Sequence, residues 1–398
     1  MIRKAWLLAL AIALTYAAAA ETVFPPNAAL KYWQAAALLP QDFGERQNLV
    51  YDRPWAPETA SFVRDMQPIL ALIREGTAIQ ACDWGLRSKP DADQPLPHLG
   101  RLRQLNRLVI IAAQYEVTQK HYTFGMDYIF DSLTMARHAG STPLLVSSLV
   151  DTAMTGAAVE TLAVCLQSIV PRDLLAAMSQ RAAALPPRAT VADAVRKGEK
   201  PLASDFRARL AAATPEERAK LLASATPAEG GNRDALQALL KDAAALEKAQ
   251  VELEGLYDKL ADIMSRSGKA AERGVREVSE QLKNASPLAR EVIPPCCRTW
   301  FASTKTQTTF LMLLAAAEVV CAGDDPKAVE KALAKHPDPF GDGPFTYRKL
   351  GKGFQILSAF RGAENAKPLV LSIGVPQRIM EDEPVMPPGP GPEKTGNF

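Results

Sequence analysis

Between His98 and His138 the apolar residues of this chain return every three or four positions, which is the period of an α-helix. Leu102, Leu105, Leu108, Val109, Ala112, Ala113 and Tyr115 form one broad stripe over His98 to Lys120. Tyr122, Met126, Ile129, Phe130, Leu133 and Ala136 form a second stripe over Tyr122 to His138. Almost nothing separates the two, so the helices are expected to fold back on each other as an antiparallel pair. Small residues near the turn, Ala112 and Gly125, let the backbones approach closely. With 398 residues and 47% hydrophobic content, the chain can repeat this device around a sizeable core.

The same period runs through most of the remaining sequence. Asn27 is placed to cap a helix reaching Leu39, with Leu30, Trp33 and Ala37 at helical spacing. A loop through Phe43, Pro54 and Pro57 precedes a helix from about Glu58 to Cys82, kinked at Pro68, with Phe62, Met66, Ile69, Leu70 and Ile73 on one face. A proline-bearing connector lies between Ser88 and Pro97. Thr142 is the expected cap of a third helix running to Ile169, and Pro171 begins a fourth that ends near Leu185. Thr214-Pro215-Glu216-Glu217 is a capping box. Thr226 to Gly231 echoes it but reads as a turn. Arg233 to about Asn284 reads as one long helix, or two broken near Gly268. Its row Leu246, Leu253, Tyr257, Leu260 and Met264 is flanked by Leu256 and Ile263, a face too wide for a self-pairing coiled coil and suited to packing within the chain. Gln250 interrupts that row and is expected at its solvated edge, with a hydrogen bond to a neighbouring helix as the alternative. Ser286 caps a short helix, Thr299 to Cys321 is the expected most buried helix, and Asp325-Pro326 opens one more, ending near His336.

The period then changes. Phe345, Tyr347 and Leu350 alternate before Gly351-Lys352-Gly353, and Phe354, Ile356 and Leu357 follow, which predicts a β-hairpin with Leu369 to Ile373 as a further strand. After Glu381 a proline-rich tail with no apolar period is expected to be disordered. The organisation expected is residues 1–20 as a signal peptide, 21–186 as a helical-hairpin domain, and 187–337 as a helical region with its long helix at about 233–284. A small hairpin segment at 338–375 and a tail at 376–398 follow.

The N-terminus has the parts of an export signal: Arg3 and Lys4, the apolar run Trp6 to Leu14, and small residues Ala17 to Ala20. Ala18 and Ala20 fit the small-x-small pattern for cleavage before Glu21. The apolar run falls short of the roughly 20 residues a spanning helix needs, which favours removal over a retained anchor. No later segment has the unbroken apolar length of a transmembrane helix, so none is expected in the mature chain. Export permits disulfides, but the five cysteines Cys82, Cys165, Cys296, Cys297 and Cys321 are odd in number and form no CxxC pair. Adjacent Cys296 and Cys297 would strain a mutual bond, and most of the five read as small buried apolar residues.

Two resemblances emerge. The pair around Tyr115 and Tyr122, with small residues facing each other, resembles one tetratricopeptide-type hairpin. The run from Asp338 through Pro339-Phe340-Gly341 and Pro344 to Tyr347, followed by Gly353 to Ser358, resembles an ending found in two groups. One is a set of uncharacterised exported helical bacterial proteins, which Asn27 to Pro40 and Ala81 to Gly85 also resemble; the other is the C-terminal region of type II secretion pseudopilins. The first resemblance implies export and a helical body, with no established activity. The pseudopilin one covers only this last segment. The signal region lacks the pilin pattern, and Arg361 to Asn365 offers a single carboxylate where some pseudopilins bind calcium.

A net charge of +2, from 46 basic and 44 acidic residues, argues against a nucleic-acid partner. The four histidines, His98, His121, His138 and His336, form no metal motif, and there is no GxSxG elbow or Walker loop. No metal, cofactor or catalytic set is therefore expected. The fold class expected is mainly α, an array of antiparallel helical hairpins that is tetratricopeptide-like in part, with a small C-terminal β-hairpin. The function expected is a non-enzymatic exported scaffold that binds a protein or peptide in the cell envelope, with Tyr115, Tyr122, Asp83 and Trp84 as candidate contacts. A hydrolase-type enzyme with a carboxylate site near Asp83 is the alternative, and a pseudopilin-like structural component is the third.

Overall fold

The computed structural model describes residues 25–374 apart from 87–93, 169, 215, 218–219, 222–234, 236–237, 240, 267 and 364–366. The signal segment, the turn at Thr226 and the proline-rich tail lie outside the described residues, as does much of the first turn of the long helix expected from Arg233. What is described is a mainly helical array with a three-stranded antiparallel sheet near its C-terminal end.

Helix α1 (Ala28–Ala37) starts at Asn27, whose Oδ1 accepts from Ala29 N at 3.1 Å. Its buried face differs from the one expected. Ala28, Tyr32 and Ala35 are buried, whereas Leu30 and Trp33 are 59% and 38% exposed. The small residues win because α1 packs closely on α4, and Tyr32 finds a buried partner for its hydroxyl. The loop expected around Phe43 contains a helix, α2 (Phe43–Val50). The segment from Glu58 is two helices, α3 (Pro57–Asp65) and α4 (Gln67–Thr77), broken at Met66 just before Pro68. It ends at Thr77, and the chain continues to Cys82 without helix.

Helices α5 (Pro97–Thr118) and α6 (Tyr122–Ala139) form the predicted pair. At their turn, a Cβ on Gly125 would stand 2.7 Å from Val117 Cγ2 and 3.3 Å from the Ala113 carbonyl. Helix α7 (Leu145–Leu166) packs on α6, and α8 (Arg172–Ala183) follows Pro171. Thr142 is not the cap of α7. The Leu145 N–H instead donates to Glu199 Oε1 at 2.9 Å, a carboxylate 54 residues later. Among the described residues α7 is the one helix long and apolar enough to cross a membrane; 61% of that window is buried in the fold.

Glu199 reaches α7 because its own helix is deformed. Helix α9 (Val191–Ala194) passes through a π-helical turn (Val195–Glu199) into α10 (Lys200–Ala212). Gly198 in that turn lies against Pro143, where a Cβ would meet the carbonyl oxygen at 2.0 Å. The extra residue of a π turn re-aims the side chains around it. The capping box at Thr214 forms as predicted, with Thr214 N donating to Glu217 Oε2 at 2.9 Å.

The long segment is two helices, α11 (Ala243–Met264) and α12 (Gly268–Gln281), separated at Gly268. Leu246, Leu253, Tyr257, Leu260 and Met264 are buried against other helices of the chain, as the wide apolar face predicts. Gln250 is buried too, so it lies within the row and not at its solvated edge. Ser286 caps α13 (Pro287–Val292). Helix α14 (Pro294–Ala322) begins earlier than expected, and α15 (Pro326–Leu333) is capped by Asp325. Strands β1 (Thr346–Lys349), β2 (Phe354–Ser358) and β3 (Leu369–Ile373) pair in that order, all antiparallel, with Tyr347 opposite Ile356 and Ile356 opposite Leu371.

Two substantial cores result. The larger is built from α1 to α8, the second half of α14, α15 and the inner face of the sheet. The smaller gathers α9, the π turn, α11 to α13, the first half of α14, Phe340 and Phe360. Each fully buried large apolar side chain in them contributes about 1.5–3 kcal/mol relative to exposure. All five cysteines are thiols; Cys165, Cys296 and Cys297 are buried and Cys82 and Cys321 partly so.

Candidate functional site

The array carries a cleft of about 350 Å³ to which three helices contribute. Arg74 and Thr77 come from α4, Asp127, Phe130 and Asp131 from α6, and Arg181 from α8. Asp127 and Asp131 are one helical turn apart, so both point the same way from α6. Arg74 Nε donates to Asp131 Oδ2 at 3.3 Å, and Thr77 Oγ1 donates to Asp131 Oδ1 at 2.5 Å. Arg181 Nη2 lies 3.0 Å from Asp127 Oδ1. Both guanidiniums also sit over rings, Arg74 at 4.9 Å from the Tyr128 centroid and Arg181 at 4.3 Å from that of Phe130. Arg74 Nη2 is buried without a hydrogen-bond partner, with Asp127 Oδ2 at 4.0 Å. Burial lifts the Asp131 carboxyl above its ordinary range. The Thr77 hydrogen bond and the Arg74 charge oppose this, and the Asp127 charge adds to it.

Asp83 and Trp84 lie on an extended strap that passes beside this cleft. Gln80, at its start, borders the cleft and donates from Nε2 to the Ala184 carbonyl at 3.3 Å. Asn27 holds the strap at both sides of Asp83, accepting from Asp83 N at 2.9 Å and donating to its carbonyl at 2.8 Å. Asp83 itself is exposed, and its carboxylate accepts from Gly85 N at 2.9 Å in a local turn. Trp84 is half-buried; its indole N–H donates to the His138 carbonyl at 3.0 Å, and its ring stacks on His98 at 4.7 Å. His138 Nε2 lies 3.3 Å from the Gln80 carbonyl, which can only accept, so that nitrogen carries the proton. Nδ1 is then the acceptor for the Tyr32 hydroxyl at 2.8 Å. Burial lowers both His98 and His138 to about 4 and raises the Tyr32 hydroxyl, so the cluster is neutral at pH 7; Tyr32 and His138 are hydrogen-bonded within it, while the buried Nε2 of His98 has no hydrogen-bond partner. Burial, with the Asp83 charge next, raises the Cys82 thiol to about 12, which keeps it protonated and unreactive. This cluster clamps the strap to the array.

Tyr115 and Tyr122 are both half-buried at the α5–α6 turn, where they pack on the larger core and do not border the cleft. The residues that do border it were missed by reading the sequence for apolar stripes. Their signal was the charged pair Asp127 and Asp131, one turn apart on a helix that is otherwise nearly all buried. Among the described residues no group of three or more His, Cys, Asp or Glu is placed to hold a metal ion. Comparisons with protein-family models, curated proteins and solved structures find no match to this chain.

Proposed function

We propose that this chain is a non-enzymatic helical scaffold of the cell envelope that receives a segment of a partner protein in the α4–α6–α8 cleft. One observation carries the reading: α4 packed on α1, α6 packed on α5 and α8 packed on α14 each give side chains to the same groove. Stacked helical hairpins of tetratricopeptide type make extended grooves for peptide ligands in this way. The wall offers both signs of charge beside apolar Phe130, which suits a peptide carrying both charged and apolar side chains. Export by the first 20 residues, cleaved after Ala20, places the scaffold in the periplasm or outside the cell. Mass spectrometry of the envelope fraction should then find a product beginning at Glu21; a product retaining Met1 inside the cell would sink that part.

A photo-crosslinking residue at exposed Ala184, in the cleft, should capture a reproducible partner from envelope extract. The same residue at exposed Val251, away from it, should not. Arg181→Glu should abolish the capture. Equal capture at both positions, or none, would overturn the reading.

A second reading, a hydrolase-type enzyme, is favoured by the carboxylate pair in the cleft and by the raised Asp131. It moves the chemistry from Asp83 to Asp131. Turnover of an ester, glycoside or peptide substrate that Asp131→Asn removes would establish it, and the absence of turnover across such a panel would dismiss it.

A further inference from the structure

A different cavity, of about 280 Å³, lies where the two cores meet beside the middle of α14. Its walls include Arg188 and Gln307, the hydroxyl residues Ser303 and Thr304, and the rings of Trp300 and Phe340. Arg188, on the link between α8 and α9, donates from Nε to Asp151 Oδ2 at 2.7 Å and from Nη1 to Gln307 Oε1 at 3.1 Å. Arg137, at the end of α6, donates from Nη2 to the same Gln307 oxygen at 3.4 Å. Asp151 Oδ1 is taken by the Thr155 hydroxyl.

Two guanidiniums therefore share one neutral amide oxygen, and of the two only Arg188 also holds a carboxylate, that of Asp151. Each keeps a buried N–H group without any hydrogen-bond partner, Nη1 of Arg137 and Nη2 of Arg188. Arg137 is only 7% exposed. Burial pulls its guanidinium down to about 10, with Asp151 opposing the fall and Arg188 adding to it, so it stays charged at pH 7. An uncompensated buried positive charge is costly, and buried arginines are normally paired. The Gln307 oxygen stands where the charge count calls for an anionic one.

We propose that this cavity binds a small organic monocarboxylate. Its carboxylate displaces the Gln307 amide to bridge Arg137 and Arg188, and its apolar body lies against Trp300 and Phe340. Arginine suits this because its planar fork matches the two oxygens of a carboxylate. The inference concerns a different site from the α4–α6–α8 cleft and stands or falls independently of it.

The test is calorimetric titration and thermal melting of the full chain with sodium hexanoate, hexanamide and inorganic phosphate. Hexanoate should bind and raise the Tm, and hexanamide should bind at least roughly tenfold more weakly, since it offers no charge to the guanidiniums. Phosphate should also bind more weakly, having no apolar body. Gln307→Glu supplies the missing charge from the protein itself. It should raise the Tm without ligand and abolish the response to hexanoate. The proposal is overturned if hexanoate gives neither heat nor a Tm shift, or if hexanamide or phosphate matches it. It is equally overturned if Gln307→Glu lowers the Tm or leaves hexanoate binding intact.

Discussion

From Cys296 to Phe301, helix α14 presents two thiols and two aromatic rings to the smaller core, whereas from Phe310 to Val319 it is enclosed by the larger one. The first stretch keeps exposed polar positions, such as Arg298, on its other face; the second runs Met312, Leu313, Leu314, Ala315, Ala316 and Ala317 with all six buried. A helix apolar on one side packs against one neighbour, and a helix apolar all round is enclosed. One uninterrupted helix thus passes between two environments, with Thr304 and Gln307 in the polar interval. The two cores are joined covalently by a rigid rod and, across the seam, by Glu199 capping α7 and Arg188 pairing with Asp151. The comparison teaches that the cores share structure without sharing composition.

The sharpest way to probe that difference is to damage one end of the rod. Phe310→Ala, at a side chain only 2% exposed, should cost about 3–5 kcal/mol. If the rod couples the cores, urea unfolding stays a single transition that moves to lower denaturant. Two transitions, with only one displaced, would show that the cores unfold separately.

Acid should act on the larger core more than on the smaller. His98 and His138 both belong to the larger one, with folded pKa values lowered to about 4. The unfolded chain binds protons at about 6.5, so between those values it holds more protons than the native state, and stability falls as pH falls. From pH 7 to pH 5 each histidine should remove on the order of 2 kcal/mol. His138→Gln should flatten its share of that slope in urea midpoints measured against pH. An unchanged slope would refute the assignment.

Gly198→Ala addresses the seam. The added methyl cannot coexist with the Pro143 carbonyl at 2.0 Å, so the π turn must shift away from α7. A loss of about 1–3 kcal/mol is expected, with faster hydrogen exchange at the Leu145 amide as the specific sign. The smallest effect should come from the surface. The Lys349–Asp324 pair is exposed on both sides, and Lys349→Ala should move the Tm hardly at all, since water and salt screen such a pair.

Much of this architecture was legible because helical periodicity is a local property. The α5–α6 pair, the Asn27 cap, the capping box at Thr214, the break at Gly268 and the C-terminal hairpin each depend on residues within a turn or two. What escaped depends on distant partners. The inner face of α1 is set by α4 and by His138, 106 residues from Tyr32, so the local spacing of Leu30 and Trp33 pointed to the wrong side. The cap of α7 arrives from Glu199, and no reading of Thr142-Pro143 could supply it. The cleft escaped for a related reason: Arg74, Asp131 and Arg181 become neighbours only when α4, α6 and α8 stack. Asp83 and Trp84 stood out as a motif, and the structure places them on the strap beside that cleft.

The enclosed half of α14 also sets an order of events. Residues 310–319 complete a core whose first eight helices end at Ala183, so contacts across more than a hundred residues close it. Closing so long a loop is entropically slow. A polypeptide threaded through a translocation pore from its N-terminus would reach the far side with that core still open. The export proposed above would then deliver the first eight helices before the helix that completes their core.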